Sequence, residues 1–271
     1  MSRYDSRERH SLVETAEALA DAARAVTLRY FRTEGLEAES KTAAEYDPVT
    51  AADRGAEQAM RAELARRRPD DAILGEEFGA RPGTSGLTWV LDPIDGTRGF
   101  ISGTPTWGVL IAVGDATGPL YGVIDQPYIG ERFRGGFGKA WCDGPPGRRP
   151  LRARTGRSLD QAILFTTFPE IGTEAERRAF RNVSARARLT RYGMDCYAYA
   201  LLAAGHIDLV IECGLNPYDI QAPIAVIRAA GGIVTDWQGG PAHGGGRAIA
   251  AASPELHAEV LPLLDLSEVS A

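Results

Sequence analysis

Along the chain the spacing of apolar positions changes several times, and each change marks an element. Val13, Ala16, Leu19, Ala23, Val26 and Tyr30 recur at three- and four-residue steps, which predicts one buried helical face. Ser11 to Glu14 has the form of a capping box, so the helix is expected to start there, with residues 1–10 polar and loose. After a polar connection over 41–47, residues 50–68 predict a second helix, stopped by Pro69. Residues 72–74 and 87–91 are apolar runs of strand type, the second ending at Asp92 where Pro93 breaks it. Residues 107–113, 119–125, 129–134 and 138–142 are short β segments punctuated by Gly and Pro, which predicts an antiparallel meander.

Beyond a Gly/Pro/Arg-rich stretch at 142–154 the pattern alternates. Strands are expected at 162–166, 207–212, 233–236 and 248–252, and helices at 174–184, 197–204, 219–230 and from about Pro254. This predicts an α/β (α+β) layered chain with two subdomains, 1–143 and 144–271. The chain shows no internal repeat.

Composition narrows the function. The 271 residues are 44% hydrophobic and 24% charged, with a net charge of −6. These proportions suit an ordinary globular enzyme and carry no basic footprint for nucleic acid. Cys142, Cys196 and Cys213 are too few and too scattered for a disulfide framework or a zinc knuckle. No apolar stretch approaches the ~18 residues of a membrane span, and no signal-peptide core opens the chain. A soluble cytoplasmic protein is the expectation. An acidic protein that handles phosphate needs a metal or a local cation to offset its own field.

The chemistry concentrates at residues 89–100, Trp-Val-Leu-Asp-Pro-Ile-Asp-Gly-Thr-Arg-Gly-Phe. Asp92 ends an apolar run, and a buried carboxylate must be paired, hydrogen-bonded or metal-bound. Asp95 is near enough to share a metal. Gly96 and Thr97 follow, and a short helix starting at Thr97 would offer N–H groups to an anion. Hard oxygen ligands without nearby His or Cys point to Mg²⁺. Three more acids stand at element ends: Asp53, Glu76 and Asp219. Each has a plainer reading. Asp53 fits a capping box with Thr50, Glu76 a solvated loop, and Asp219 a helix N-terminus.

These residues resemble a known signature. Asp92-Pro-Ile-Asp-Gly-Thr97, Asp47-Pro-Val-Thr-Ala-Ala-Asp53, Gly75-Glu76-Glu77 and Pro217-Tyr-Asp-Ile-Gln-Ala222, with Ala230-Gly-Gly232, are similar to the motifs of inositol monophosphatase-like, Mg²⁺-dependent, lithium-sensitive phosphatases. The resemblance implies a layered αβαβα sandwich, commonly a homodimer, acting on a small phosphate ester with two or three Mg²⁺ ions. It implies that Glu76, Asp92 and the carbonyl of Ile94 hold one ion, and Asp92, Asp95 and Asp219 a second. Asp53 and Thr97 would orient the attacking water, with Glu76 helping to position it or a third ion. N–H groups of Gly96 and Thr97 would bind phosphate.

Other residues resemble the histidinol-phosphate phosphatase branch, notably Thr97-Arg-Gly-Phe-Ile-Ser-Gly103 and Asp195-Cys-Tyr-Ala-Tyr199, with Tyr218 in place of the usual Trp. Histidinol phosphate carries an ammonium and an imidazole, which Asp195, with Glu212 across the pocket, could pair. Asp195 could equally cap the helix after it. Trp107, Tyr197 and Tyr199 are expected near the pocket or in the core. His206 is expected in a turn and His243 in solvent, and Pro223 in a first helical turn. An inositol phosphatase is the runner-up, ahead of fructose and nucleotide bisphosphatases. An aspartyl-phosphate enzyme, which needs two aspartates one residue apart, is excluded by the three-residue spacing of Asp92 and Asp95.

Overall fold

Helix α1 (Ser6–Tyr30) starts earlier than the pattern at Ser11 suggests. The N-cap is Asp5, whose Oδ1 accepts from the backbone N–H of Glu8 at 2.8 Å, so Ser11 lies inside the helix. Residues 6–10 are therefore helical rather than loose. The structure is a computed structural model describing residues 4–34, 38–40 and 48–266, with backbone alone for 38–40 and 48. The expected connection at 41–47, including Asp47 of the second motif, lies outside the described residues.

Strands β1 (Ala38–Ser40) and β2 (Pro48–Thr50) pair antiparallel before α2 (Ala51–Arg67). There follow β3 (Ala72–Gly75), β4 (Gly79–Arg81), β5 (Thr88–Asp95), the short α3 (Thr97–Ile101), β6 (Gly108–Asp115), β7 (Gly118–Gln126), β8 (Glu131–Gly136), β9 (Lys139–Gly144) and β10 (Gly147–Pro150). These strands make one eight-stranded sheet in the order β10-β9-β8-β7-β6-β5-β3-β4. From β5 to β10 each strand lies beside its predecessor, the meander predicted from the sequence. The Gly/Pro/Arg-rich stretch holds the β9–β10 turn.

The rest of the chain gives β11 (Ile163–Thr166), α4 (Glu174–Ser184), β12 (Leu189–Tyr192), α5 (Asp195–Ala203), β13 (Leu209–Leu215), α6 (Pro217–Ala229), β14 (Ile233–Thr235), β15 (Gly246–Ala251) and α7 (Pro254–Val260). Its sheet has the order β12-β11-β13-β15-β14. Five short strands, β1, β2, β4, β10 and β12, escape the sequence pattern. Each is at a sheet edge, where pairing with one neighbour rather than apolar alternation sets the conformation.

Three apolar cores define the layers. Leu12, Leu19 and Met60 of α1 and α2 pack on Trp89, Leu91 and Ile111 of the larger sheet. On its other face, Leu110, Ile124 and Phe133 meet Leu202, Ile220 and Ile224 of α5 and α6, which also meet Val210 and Ala250 of the smaller sheet. The outer face of that sheet packs Leu209 and Ile249 against Phe180, Val183 and Leu256 of α4 and α7. The result is the αβαβα sandwich that the resemblance implies. Among the described residues no helix is long and apolar enough to cross a membrane.

A charged network fixes α1 to the larger sheet. Arg132 reaches Asp125 at 2.6 Å, Glu17 at 2.8 Å and Asp21 at 2.8 Å, and Arg134 pairs with Glu17. Pro223 falls six positions after Pro217, inside α6 rather than in its first turn, because the helix begins two residues before Asp219. It has no N–H to return to the carbonyl of Asp219.

Candidate active site

Strand β5 does not end at Asp92. It continues through Pro93 to Asp95 with an irregular register: Asp92 lies opposite Leu110, and Asp95 opposite Gly108. Three steps on β5 thus match two on β6, which is one inserted residue. In a regular strand, residues three apart face opposite sides. The inserted residue restores them to one side, and Pro93, which cannot donate to the ladder, sits in the irregular stretch. The two carboxylates converge as a result. Ligand oxygens of Asp92, Asp95 and Asp219 lie within 4.8 Å of one another.

Asp219 arrives from α6, where its Oδ2 accepts from the backbone N–H of Asn216 at 2.6 Å and closes a capping box. Asp92 Oδ1 accepts from the N–H of Ile94 at 3.0 Å, and Asp95 Oδ2 from the N–H of Cys196 at 2.5 Å. Glu76 lies within hydrogen-bonding reach of the Asp92 carboxyl. Burial pushes the carboxyls of Asp92 and Asp95 well above the usual range. Repulsion by Glu76, Asp95 and Asp219 adds to it at Asp92, and repulsion by Asp195 and Asp219 at Asp95. A buried set of mutually repelling oxygens is a site in deficit of positive charge. Its donors are hard, which suits an oxygen-preferring divalent cation.

Asp53 caps α2 and also reaches Thr97. Thr50 donates to its Oδ2 through N–H at 2.9 Å and hydroxyl at 2.6 Å, which is the capping box of α2. Its other oxygen accepts from Thr97 Oγ1 at 3.3 Å. The Thr97 hydroxyl also faces the carbonyl of Ile94 at 3.0 Å. Gly96 is the N-cap of α3 with φ 85°, a left-handed conformation that glycine adopts without strain.

Glu57 is a positioning residue that sequence reasoning missed. Fully buried on α2, it accepts from the N–H of Glu77 at 2.7 Å, from that of Phe78 at 3.3 Å and from Arg61 at 2.7 Å. It thereby braces the turn that carries Glu76. A Cβ on Gly75 would fall 1.9 Å from Glu57 Oε1, so that strand end must be glycine. The available signal was the four-residue step from Asp53 to Glu57 to Arg61 along one helix face.

One cavity of about 780 Å³ is lined by Glu76, Asp95, Gly96, Thr97, Asp219, Asp195, Glu212, Tyr199 and Tyr218, among others. Asp53, Asp92 and Ile94 are buried at its edge. Asp195 does not cap the following helix. Helix α5 begins at Asp195 itself, and its N-cap, Met194, makes no side-chain capping bond. Asp195 has φ 45°, a left-handed conformation that costs a non-glycine residue about 1–2 kcal/mol. Its carboxylate bonds Thr106 and faces Arg98, yet burial dominates and pushes its pKa up to about 6. Glu212 is pushed up to about 7 by burial, although it accepts from Thr166 Oγ1 at 3.2 Å and from Thr167 N–H and hydroxyl at 2.7 and 2.9 Å.

Of the aromatic candidates, Tyr199 alone lines this cavity. Trp107 is enclosed by Phe31 and Phe100, and Tyr197 donates to Glu131 at 2.7 Å. His206 occupies the turn between α5 and β13 and is exposed. His243 is half-buried near Gly118 rather than solvated, because the main chain folds it back onto β7.

Layers, turn and acid cluster together are those of a hydrolase for small phosphate esters. The chain belongs to the inositol monophosphatase family, whose profile matches residues 8–267, and is thereby a phosphatase of that superfamily. It is 44% identical over 225 residues to the chloroplastic bifunctional phosphatase IMPL2 of Arabidopsis thaliana, covering 82% of this chain and 63% of that protein. It is 34% identical over 252 residues to the histidinol-phosphatase of Mycobacterium tuberculosis, covering 92% and 96% of the two chains. The solved inositol monophosphatase of Zymomonas mobilis superposes with a TM-score of 0.84 at 39% identity, covering 96% of this chain and 99% of that one. Relatives named for either substrate thus stand at comparable distances.

Proposed function

We propose that the protein is a Mg²⁺-dependent phosphomonoesterase that hydrolyses L-histidinol phosphate by in-line attack of water. One observation carries the choice of substrate: the cavity holds more acid than a metal cluster needs. Asp195 and Glu212 line it in addition to Glu76, Asp95 and Asp219. Two buried acids with raised pKa values are held at an energetic cost, and a cationic leaving group offsets it. The ammonium and imidazole of histidinol phosphate fill that requirement, and the neutral hydroxyls of an inositol do not.

Glu76, Asp92 and the carbonyl of Ile94 would hold one Mg²⁺, and Asp92, Asp95 and Asp219 a second. Bound there, Mg²⁺ supplies an acidified water and positive charge for the phosphoryl and leaving oxygens. The remaining steps belong to the chain. Asp53, fixed by Thr50, accepts from Thr97 and leaves the threonine hydroxyl placed to hold the attacking water in line with the phosphorus. Glu76 assists in placing that water. N–H groups of Gly96 and Thr97 oppose the negative charge that grows on the phosphoryl oxygens. Asp195, packed against Gly96, pairs with the substrate's cation beside that cradle. Glu212 holds the Thr166–Thr167 segment and adds its field across the cavity.

The 39% identity to the Zymomonas mobilis enzyme favours a second reading, hydrolysis of inositol 1-phosphate. Phosphate release from both esters, measured in parallel with saturating Mg²⁺ and with a chelator, separates the two. We expect chelator-sensitive release with a higher kcat/KM for histidinol phosphate. Preference for inositol 1-phosphate would reverse the substrate assignment, and release unaffected by the chelator would remove the metal.

A further inference from the structure

At the rim of the cavity stands Phe168, in the segment between β11 and α4. It keeps 45% of its surface exposed, an unfavourable place for a phenyl ring. The segment is nevertheless anchored on both sides. Thr167 is tied to Glu212 by backbone and hydroxyl, and Ile171 is buried in the core beneath α4. Across the mouth, Arg98 of α3 lays its guanidinium over the ring, 5.1 Å from the centroid. Arg98 also faces Asp195. A row of Asp195, Arg98 and Phe168 therefore crosses the entrance, linking the turn after β5 to the segment after β11. The guanidinium takes up part of the ring, and the rest faces accessible space.

We propose that Phe168 is a specificity-determining residue: its exposed ring is the wall on which a planar leaving group lies, with Arg98 holding the ring in place. The inference deepens the proposed function and rests on its assignment of this cavity to phosphate esters. A flat ring stacks on the phenyl face and covers it, whereas an aliphatic polyol only leaves it wet. Removing the wall weakens binding of planar esters by about three- to tenfold, the usual worth of one aromatic pair. The reacting atoms are untouched, so the change falls on KM.

The test compares wild type with Phe168→Ala and Phe168→Trp on p-nitrophenyl phosphate, a planar ester, and glycerol 2-phosphate, an aliphatic one, with histidinol phosphate alongside. Phe168→Ala should raise KM about three- to tenfold for p-nitrophenyl and histidinol phosphate with kcat held. KM for glycerol 2-phosphate should change by less than about twofold, and Phe168→Trp should restore the planar esters. An equal effect on both synthetic esters, or none, overturns the proposal. Hydrolysis of the synthetic esters without histidinol phosphate would overturn the substrate assignment alone, since the synthetic pair still reads the role of Phe168. Failure to hydrolyse any ester overturns both.

Discussion

An alanine at Gly96 would place its Cβ 2.8 Å from Cγ, 2.9 Å from Oδ2 and 3.0 Å from Cβ of Asp195. Two costs follow, and they separate. The left-handed φ of 85° costs an alanine about 1–2 kcal/mol. The overlap forces the Asp195 side chain or the turn to shift, which adds about 1–3 kcal/mol. Gly96→Ala should therefore lose about 2–5 kcal/mol of stability by urea denaturation. In Asp195→Gly/Gly96→Ala the whole side chain is gone and only the backbone cost remains. The double-mutant cycle should thus show a favourable coupling of about 1–3 kcal/mol. Effects belonging to Asp195 alone, such as its bond to Thr106 and its burial, cancel in the cycle. Strictly additive effects would refute the placement of Asp195 against the phosphate turn, and with it the reason for giving that residue to the substrate's cation.

Other outcomes follow from the same geometry. Asp92→Asn should raise the melting temperature of the metal-free protein, by relieving repulsion, while abolishing the stabilisation by Mg²⁺. That stabilisation should be about 2.7 kcal/mol at a hundredfold excess over Kd in wild type, and calorimetric Mg²⁺ binding that survives the substitution would contradict the ligand assignment. Glu57→Ala should cost about 2–4 kcal/mol, because two N–H groups and Arg61 lose their acceptor. It should also lower kcat through the displaced Glu76 turn, and a stable, fully active variant would show the brace to be dispensable. Burial raises the carboxyl pKa of Glu17, but its bonds to Arg134 and Arg132 outweigh that and leave it below the usual 4.5. The unfolded chain then binds more protons, so this stabilisation is complete above about pH 4.5 and is lost as pH falls through the depressed folded value. Glu17→Gln should lose about 1–3 kcal/mol near neutrality and show a flatter acid limb, and parallel curves would exclude the network as its cause.

How far the site could be foreseen depended on whether local chemistry or chain pairing placed each residue. The acids at element ends were legible because caps and strand ends leave local marks: Thr50 with Asp53, a helix start at Asp219, and an apolar run ending in Asp92. What brings Asp92 and Asp95 to one side was not legible. The inserted residue exists only against the register of β6. Glu57 looked like any charged helix residue, since its partners at Glu77 and Phe78 lie 20 and 21 positions on. Asp195 looked like a cap because its left-handed backbone is decided by packing against Gly96 and Thr106 rather than by its neighbours in sequence. At the start of α1, the Ser11–Glu14 pattern lies inside a helix that Asp5 caps six residues earlier.

The central claim is that acid beyond the metal cluster reads a cation on the substrate. The ratio of kcat/KM for histidinol phosphate to that for inositol 1-phosphate, measured in wild type and in Asp195→Asn, tests it most directly. Asparagine keeps the shape and removes the charge. Without the carboxylate to pair its cation, histidinol phosphate should fall about ten- to a hundredfold in that ratio, with the rate on inositol 1-phosphate changed by less than about threefold. A ratio that stays the same in Asp195→Asn contradicts the account.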